Sequence, residues 1–385
     1  MRILFAPLIT RLKLTESHER VRMLSEEAMR RGHEVALSAN QCCNYSKIKG
    51  TGLYEAPLPK NLKSSIIKQK TGKESIPKDW FYKVDNMHSF SDALYIMGAI
   101  GKKYYKRDVE SIASAIDSFK PDIVYSDLRP GALSASLSRN VRIASTVTFP
   151  LCEYHSQDRY VLDIINSCNS KIGISKSGSL CDFFDRSDLR FVPSIYELEP
   201  LAGKSVIFTG PIRKTESVKA LIPSKKIVIK LRSMDSEFIL KETIKAFKGT
   251  DFNILLVSSK LGNGDFGNVT VRKNINMKKQ LADAAVFIHN GENEDVFNSI
   301  TTDTPQIVVQ CNVYFLKYNG YSIQRNKAGL LIEKEEFNRN RLPRIVDKIL
   351  SKEKYLENTK KLSKILARHG GAVTVIDEME KLTGR

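Results

Sequence analysis

The feature that most narrows the choice of fold is an alternation that runs once, breaks, and starts again. RILFAPL (2–8) reads as an apolar strand, HERVRMLSEEAMRRG (18–32) as an amphipathic helix and HEVALSA (33–39) as the next strand. The same rhythm continues through the helix VESIASAIDSF, the strand PDIVYSD, the helix GALSASLSR and the strand VRIASTVTF. The Gly-Pro break within SVIFTGPI and a polar stretch up to Pro223 interrupt it. It then restarts with KIVIKL, SEFILKETIKAF and FNILLVSS, and continues through NVTVRKN, MKKQLADA, VFIHN, a further helix and PQIVVQ. Strands that alternate with helices imply parallel sheets joined by helical crossovers. Two such rounds predict an α/β protein of two Rossmann-like, doubly wound domains facing across a cleft, with the carboxyl ends of the strands toward it. The length of 385 residues agrees with two domains rather than one. The boundaries expected are 1–211, 212–370 and a closing helix, 371–385, that returns to the first domain.

Composition removes several classes. At 42% hydrophobic and 27% charged the chain is globular, and no run approaches the ~18 to 20 apolar residues of a membrane span. MRILFAPLI lacks a cleavage-site pattern and reads as a first buried strand. The six cysteines form no CxxC pair or regular framework, and adjacent Cys42–Cys43 read as reduced thiols of a cytoplasmic protein. The six histidines have no metal-ligand spacing, so no metal is expected. A formal charge of +18 attracts anions, yet no RRM, KH or zinc-finger pattern accompanies it, so nucleic acid is not the expected partner. Basic and aromatic residues interleave between Lys60 and Arg107, including Trp80, Phe81, Lys102, Lys103, Tyr104 and Tyr105. That pattern fits an anionic membrane surface and a peripheral position at the inner face of the membrane, and it fits an ordinary solvated helix face equally well.

Chemistry concentrates in FIHNGENEDVFNSITTDTPQIVV (287–309), where an apolar run stops at a histidine, an Asn-Gly turn follows and a helix begins. Backbone N–H groups at a helix start favour a phosphate. Gly291 permits close backbone approach, His289 is placed to hydrogen-bond a phosphate oxygen, and Asn290 lies between them. The other reading of His289 is a strand-end histidine without a ligand.

Several pieces together resemble the two-domain GT-B glycosyltransferases, in particular the macrolide-type, nucleotide-sugar-dependent enzymes. They are RGHEV (Arg31–Val35) after the first helix, FVPSIYELEP (Phe191–Pro200) followed by VIFTGPI (Val206–Ile212), NVTVRKNINMKKQLADAAVFIHNG, and NGYSIQRNKAGLLI (Asn319–Ile332). The resemblance covers nearly the whole chain. It implies transfer of a sugar from a nucleotide-sugar donor to a hydroxyl acceptor, inverting and metal-independent, with no cofactor beyond the donor itself. A lipid-linked acceptor and a hydrophobic small molecule both fit. Preorganised N–H groups would stabilise the leaving diphosphate. Arg232 and Ser233 fall where the family has Gly-Ser, and an arginine there adds a fixed positive charge. His18 falls near the family's catalytic base and Asp127 near the aspartate that orients it. Ser17 and Glu16 compete for the base position, and Thr15-Glu16-Ser17-His18 also reads as a plain helix start.

Three departures stand beside these matches. The ribose-gripping glutamate falls on Asn298, the sugar-contacting Asp-Gln pair on Phe315–Leu316 ahead of Asn319, and the base-stacking aromatic on Asn274. Asn offers one acceptor group where a carboxylate offers two oxygens, and loss of a charge-assisted pair costs ~1.5 to 3 kcal/mol. The departures keep a second class open: a catalytically silent GT-B protein that binds a sugar, a nucleotide or a partner subunit.

Overall fold

The computed structural model describes residues 1–10, 15–41, 48–59, 87–154, 159–203, 205–214, 218 and 220–384. Cys42–Cys43 and the Lys60–Asn86 part of the basic-aromatic stretch, with Trp80 and Phe81, lie outside the described residues. The chain divides into two compact units. The described residues of the first fall within 1–59, 87–214 and 369–384, and those of the second within 218–368.

The first unit is built on a seven-stranded sheet in the order β3-β2-β1-β4-β5-β6-β7, parallel throughout. Its strands are β1 (Arg2–Pro7), β2 (Glu34–Ala39), β3 (Gly52–Glu55), β4 (Ile123–Asp127), β5 (Arg142–Thr146), β6 (Leu189–Val192) and β7 (Val206–Phe208). Ile3, Leu4 and Phe5 are wholly buried, as are Ile123, Val124 and Tyr125. A parallel sheet covered on both faces needs such continuous apolar runs. α1 (Thr15–Arg30) follows β1 and buries Val21, Leu24 and Ala28 in the core, a spacing of three and four that forms one helical stripe. α2 (Lys102–Phe119) and α3 (Pro130–Arg139) flank the sheet, the latter opening with the proline that suits a first turn. Tyr105 on α2 is buried and hydrogen-bonds Ser134 on α3 at 2.8 Å. It therefore does not belong to a membrane-facing patch; its ring fills the space between two helices. Lys102 and Lys103 are exposed, and among the described residues no helix is long and apolar enough to cross a membrane.

The second unit repeats the plan in the order β10-β11-β9-β8-β12-β13-β14. These are β8 (Lys226–Lys230), β9 (Asn253–Val257), β10 (Gly264–Phe266), β11 (Val269–Arg272), β12 (Val286–His289), β13 (Gln306–Val309) and β14 (Gly329–Ile332). Ile227 and Ile229 enter one core while Val228, between them, enters another on the opposite face, the two-residue period of a strand. β10 alone runs antiparallel, turned back onto β11 at Gly267, whose φ of 65° is in the left-handed region. A parallel reading of the alternation misses this edge hairpin because a short turn needs no crossover. The helices that matter here are α4 (Ser236–Phe247), α5 (Asn293–Thr301) and α6 (Tyr314–Arg325).

α7 (Ala372–Thr383) belongs to the first unit, where Ala372, Val375, Ile376 and Met379 join the core of α1. RGHEV supplies the polar half of that contact: Arg31 pairs with Asp377 at 2.6 Å and with Glu380 at 2.9 Å, and His33 Nε2 lies 2.7 Å from Glu380. In each sheet the strand order reverses beside the first strand, between β1 and β4 and between β8 and β12. Ligands of doubly wound sheets bind at the carboxyl ends of strands flanking that reversal.

Candidate functional site

In the second unit the reversal brings Lys230, the last residue of β8, level with His289, the last of β12. The loops that leave these strands are tied together by one side chain. Asn290 Oδ1 accepts the N–H of Arg232 at 2.7 Å and of Ser233 at 3.3 Å, while its Nδ2 donates to Ser233 Oγ at 2.7 Å and to the Val309 carbonyl at 3.1 Å. Asn319, on α6, donates to the Gly291 carbonyl at 2.8 Å and to Asn293 Oδ1 at 2.6 Å. Arg232, Ser233, His289, Asn290, Gly291 and Asn319 thus form one connected loop cluster. Of the others, Asn274 is exposed in the turn after β11, Asn298 is buried in α5, and Phe315 and Leu316 lie on α6, with the Leu316 carbonyl against Gly291.

His289 is wholly buried, stacked 4.5 Å from the Phe287 ring. Its Nδ1 accepts the Gly291 N–H at 3.0 Å, so the ring proton sits on Nε2, which donates to Gln306 Oε1 at 2.9 Å. Burial drives its pKa down to about 3. The imidazole is therefore neutral and both nitrogens are engaged within the protein. It shapes the turn at the end of β12 from inside. Gly291 has φ of 87°, and a Cβ there would stand 2.7 Å from the Leu316 carbonyl oxygen. Glycine is required by the packing of its own loop on α6, whatever approaches from outside. Replacing it tests that packing and not ligand approach.

Sequence reasoning named Arg232 but missed the other charges around this loop, Lys230, Glu292 and Asp295. Lys230 bonds Asp295 at 2.7 and 2.8 Å and Glu292 at 3.2 Å, and Arg232 bonds Glu292 at 2.9 Å. Burial, which lowers the Lys230 pKa, is outweighed by Asp295 and Glu292, so the ammonium is held above its ordinary value. Burial pushes the Asp295 carboxyl up while Lys230 draws it back. The visible signal was a lysine closing a strand with an apolar centre, KIVIK, with acidic residues three apart at the helix start.

In the first unit Pro7, ending β1, pairs with Asp127, ending β4. Asp127 is wholly buried and receives Ser17 Oγ and Arg20 Nε, the latter at 2.6 Å. Arg20 is itself 5% exposed. Asp127 thus anchors the start of α1, and His18 sits half-buried between its two partners in sequence. Leu128 follows with φ of 59°, a left-handed conformation that side chains rarely adopt. Next, buried Arg129 pairs with Asp108 at 2.7 Å and donates to the Ser38 carbonyl at 2.6 Å. Two buried Arg–Asp pairs therefore hold the strand ends.

Glu199, within FVPSIYELEP, is buried and accepts the Phe149 N–H at 2.8 Å. Burial raises its pKa to about 7, against the Phe149 N–H and the Ser194 hydroxyl; Glu16 adds to the rise and Arg20 opposes it. Because the folded value exceeds the ordinary 4.5, Glu199 contributes stability that is full below pH 4.5 and lost as pH rises through 7. Glu199→Gln removes this dependence. Its stability relative to wild type, from urea unfolding, is expected to be higher at pH 8 than at pH 5, by at most roughly 3 kcal/mol. An equal difference at both pH values would contradict the raised pKa.

No protein-family model matches the chain, and no curated protein matches it. Solved structures do match, end to end. CalG4, the calicheamicin glycosyltransferase, aligns over 100% of this chain and 98% of its own, with a TM-score of 0.75 at 14% identity. The glycosyltransferase VinC in complex with dTDP aligns over 100% of both chains, with a TM-score of 0.68 at 14% identity. The spinosyn rhamnosyltransferase SpnG complexed with thymidine diphosphate aligns over 99% of this chain and 100% of its own, with a TM-score of 0.67 at 10% identity. The fold is therefore the GT-B fold expected from the sequence.

Proposed function

We propose that the chain is a glycosyltransferase that moves a sugar from a nucleoside-diphosphate donor to a hydroxyl acceptor with inversion and without a metal. The observation that carries this reading is the loop cluster at the reversal of the second sheet. There Asn290 clamps the Arg232–Ser233 loop to the His289–Gly291 turn, and α5 starts immediately after. In this reading the leaving diphosphate lies beside Lys230 and Arg232 and the first turn of α5, where positive charge opposes the negative charge that grows as the bond to the sugar breaks. His289 contributes indirectly, by holding the turn. His18, at the start of α1, takes the acceptor's proton, and Asp127 fixes the helix that carries it. The thymidine diphosphate in the VinC and SpnG structures makes dTDP-sugars the first donors to try. The spinosyn aglycone held by SpnG makes an aglycone hydroxyl the first acceptor class.

A thermal-shift panel of dTDP-, UDP- and GDP-sugars tests the donor half. A ligand at ~100-fold its Kd stabilises the folded form by ~2.7 kcal/mol, so at least one donor is expected to raise Tm clearly. A flat response across the panel would remove this reading. A second reading, a silent GT-B binding protein, is favoured by the acids at the start of α5, where Glu292 stands at the N-cap and Glu294 and Asp295 in the first turn. A donor that binds tightly but is neither hydrolysed nor transferred across an acceptor panel decides for it.

A further inference from the structure

The carboxylate of Glu292 lies where the proposed donor site most needs to be positive. Glu292 holds the N-cap position of α5, yet its side chain makes no capping hydrogen bond. Instead one oxygen lies 2.9 Å from Arg232 Nη1 and the other 3.2 Å from Lys230 Nζ. These two cations lie at the loop cluster, and they differ in exposure. Lys230 is 11% exposed and also committed to buried Asp295 at 2.7 Å, whereas the Arg232 side chain is 49% exposed. Glu292, at 21%, faces both. Glu294, further along the first turn, is exposed, and Asp295 is buried against Lys230.

We infer that Glu292 is a built-in competitor for the donor's diphosphate, an internal anion that must leave Arg232 and Lys230 before a phosphate takes its place. This rests on the donor-site reading above. The physical argument is one of substitution. A nucleoside diphosphate and a carboxylate seek the same charge-assisted hydrogen bonds from a guanidinium and an ammonium. While the carboxylate holds them, an incoming phosphate gains only the difference between the two sets of contacts, and it also meets a nearby negative charge. Glu292 thereby sets a threshold that only a ligand with further contacts passes. An inorganic anion alone binds weakly, and a complete nucleotide sugar, with its base and sugar, displaces the carboxylate. Most residues of a binding site lose affinity when removed. Glu292 is distinguished by the opposite sign.

The test is titration calorimetry on the full chain at one fixed ionic strength, with dTDP and, separately, inorganic pyrophosphate as probes. Glu292→Gln keeps the side-chain shape and removes the charge. It is expected to bind both probes at least tenfold more tightly than wild type. Adding Arg232→Met to Glu292→Gln is expected to cancel the gain, because the released cation is then gone. Glu292→Asp, which keeps the anion, is expected to stay within a few-fold of wild type. Thermal unfolding shows that each protein is folded. A gain for pyrophosphate without one for dTDP sustains the role of Glu292 and removes the nucleotide-sugar reading of the site. Unchanged or weaker pyrophosphate binding by folded Glu292→Gln, including no binding by any variant, overturns the inference.

Discussion

Asp127→Asn is expected to lower the unfolding free energy by ~3 to 5 kcal/mol, the range for breaking a buried ion pair from one side. The amide keeps the shape of the carboxylate but leaves the Arg20 guanidinium, 5% exposed, facing an uncharged partner. Glu16, 3.9 Å from Arg20 and largely exposed, offers only weak compensation. Urea unfolding at neutral pH measures the loss. Arg20→Met made in the Asp127→Asn background is expected to restore at least half of it, since the penalty comes from an unpaired charge and not from a missing contact. A double variant as unstable as Asp127→Asn would show that the carboxylate acts through something other than Arg20. Full stability of Asp127→Asn would remove the anchoring role altogether.

His18→Ala is expected to behave in the contrary way. Half-buried in the first turn of α1, His18 should change stability by no more than ~1 kcal/mol when truncated. If it removes the acceptor's proton, kcat falls by ~10²- to 10⁴-fold. Donor affinity stays near wild type because the base acts on the acceptor. Initial rates with the donor found in the thermal-shift panel, together with calorimetric donor binding, separate the two quantities. Undiminished turnover by His18→Ala transfers the role to Glu16 or to a base carried by the acceptor. The contrast with Asp127→Asn is informative: an orienting partner of His18 would share its kinetic defect at normal stability, whereas a helix anchor loses stability first.

Much of the architecture was legible because burial on both faces of a parallel sheet leaves a local mark. Ile227, Val228 and Ile229 in KIVIK and Ile3, Leu4 and Phe5 in RILFAP are consecutive buried apolar residues, and the polar-apolar helices between such strands admit one class of fold. The edge hairpin of β10 left no comparable mark, since GDF is short and mostly polar. The candidate site divides in the same way. The turn at His289, Asn290 and Gly291 was found from its order along the chain, because a strand end, a glycine and a helix start are local events. Its internal use was not: whether the imidazole faces outward or is consumed by Gly291 and Gln306 depends on a residue 17 positions away.

By itself the sequence determined the α/β class, the restart of the strand–helix alternation and the chain positions of the loops that carry chemistry. Each of these follows from periodicity and from the conformations open to glycine and proline, which act over a few residues. Only the tertiary structure decided which charges meet. Arg20 and Asp127 are 107 residues apart, Arg232 and Glu292 60, and Lys230 and Asp295 65. Electrostatic pairing depends on distance in space and on burial. Within each unit, the reversal of strand order beside β1 or beside β8 gathers residues remote along the chain at the strand ends, where charge, more than the motif, sets what each side chain can do.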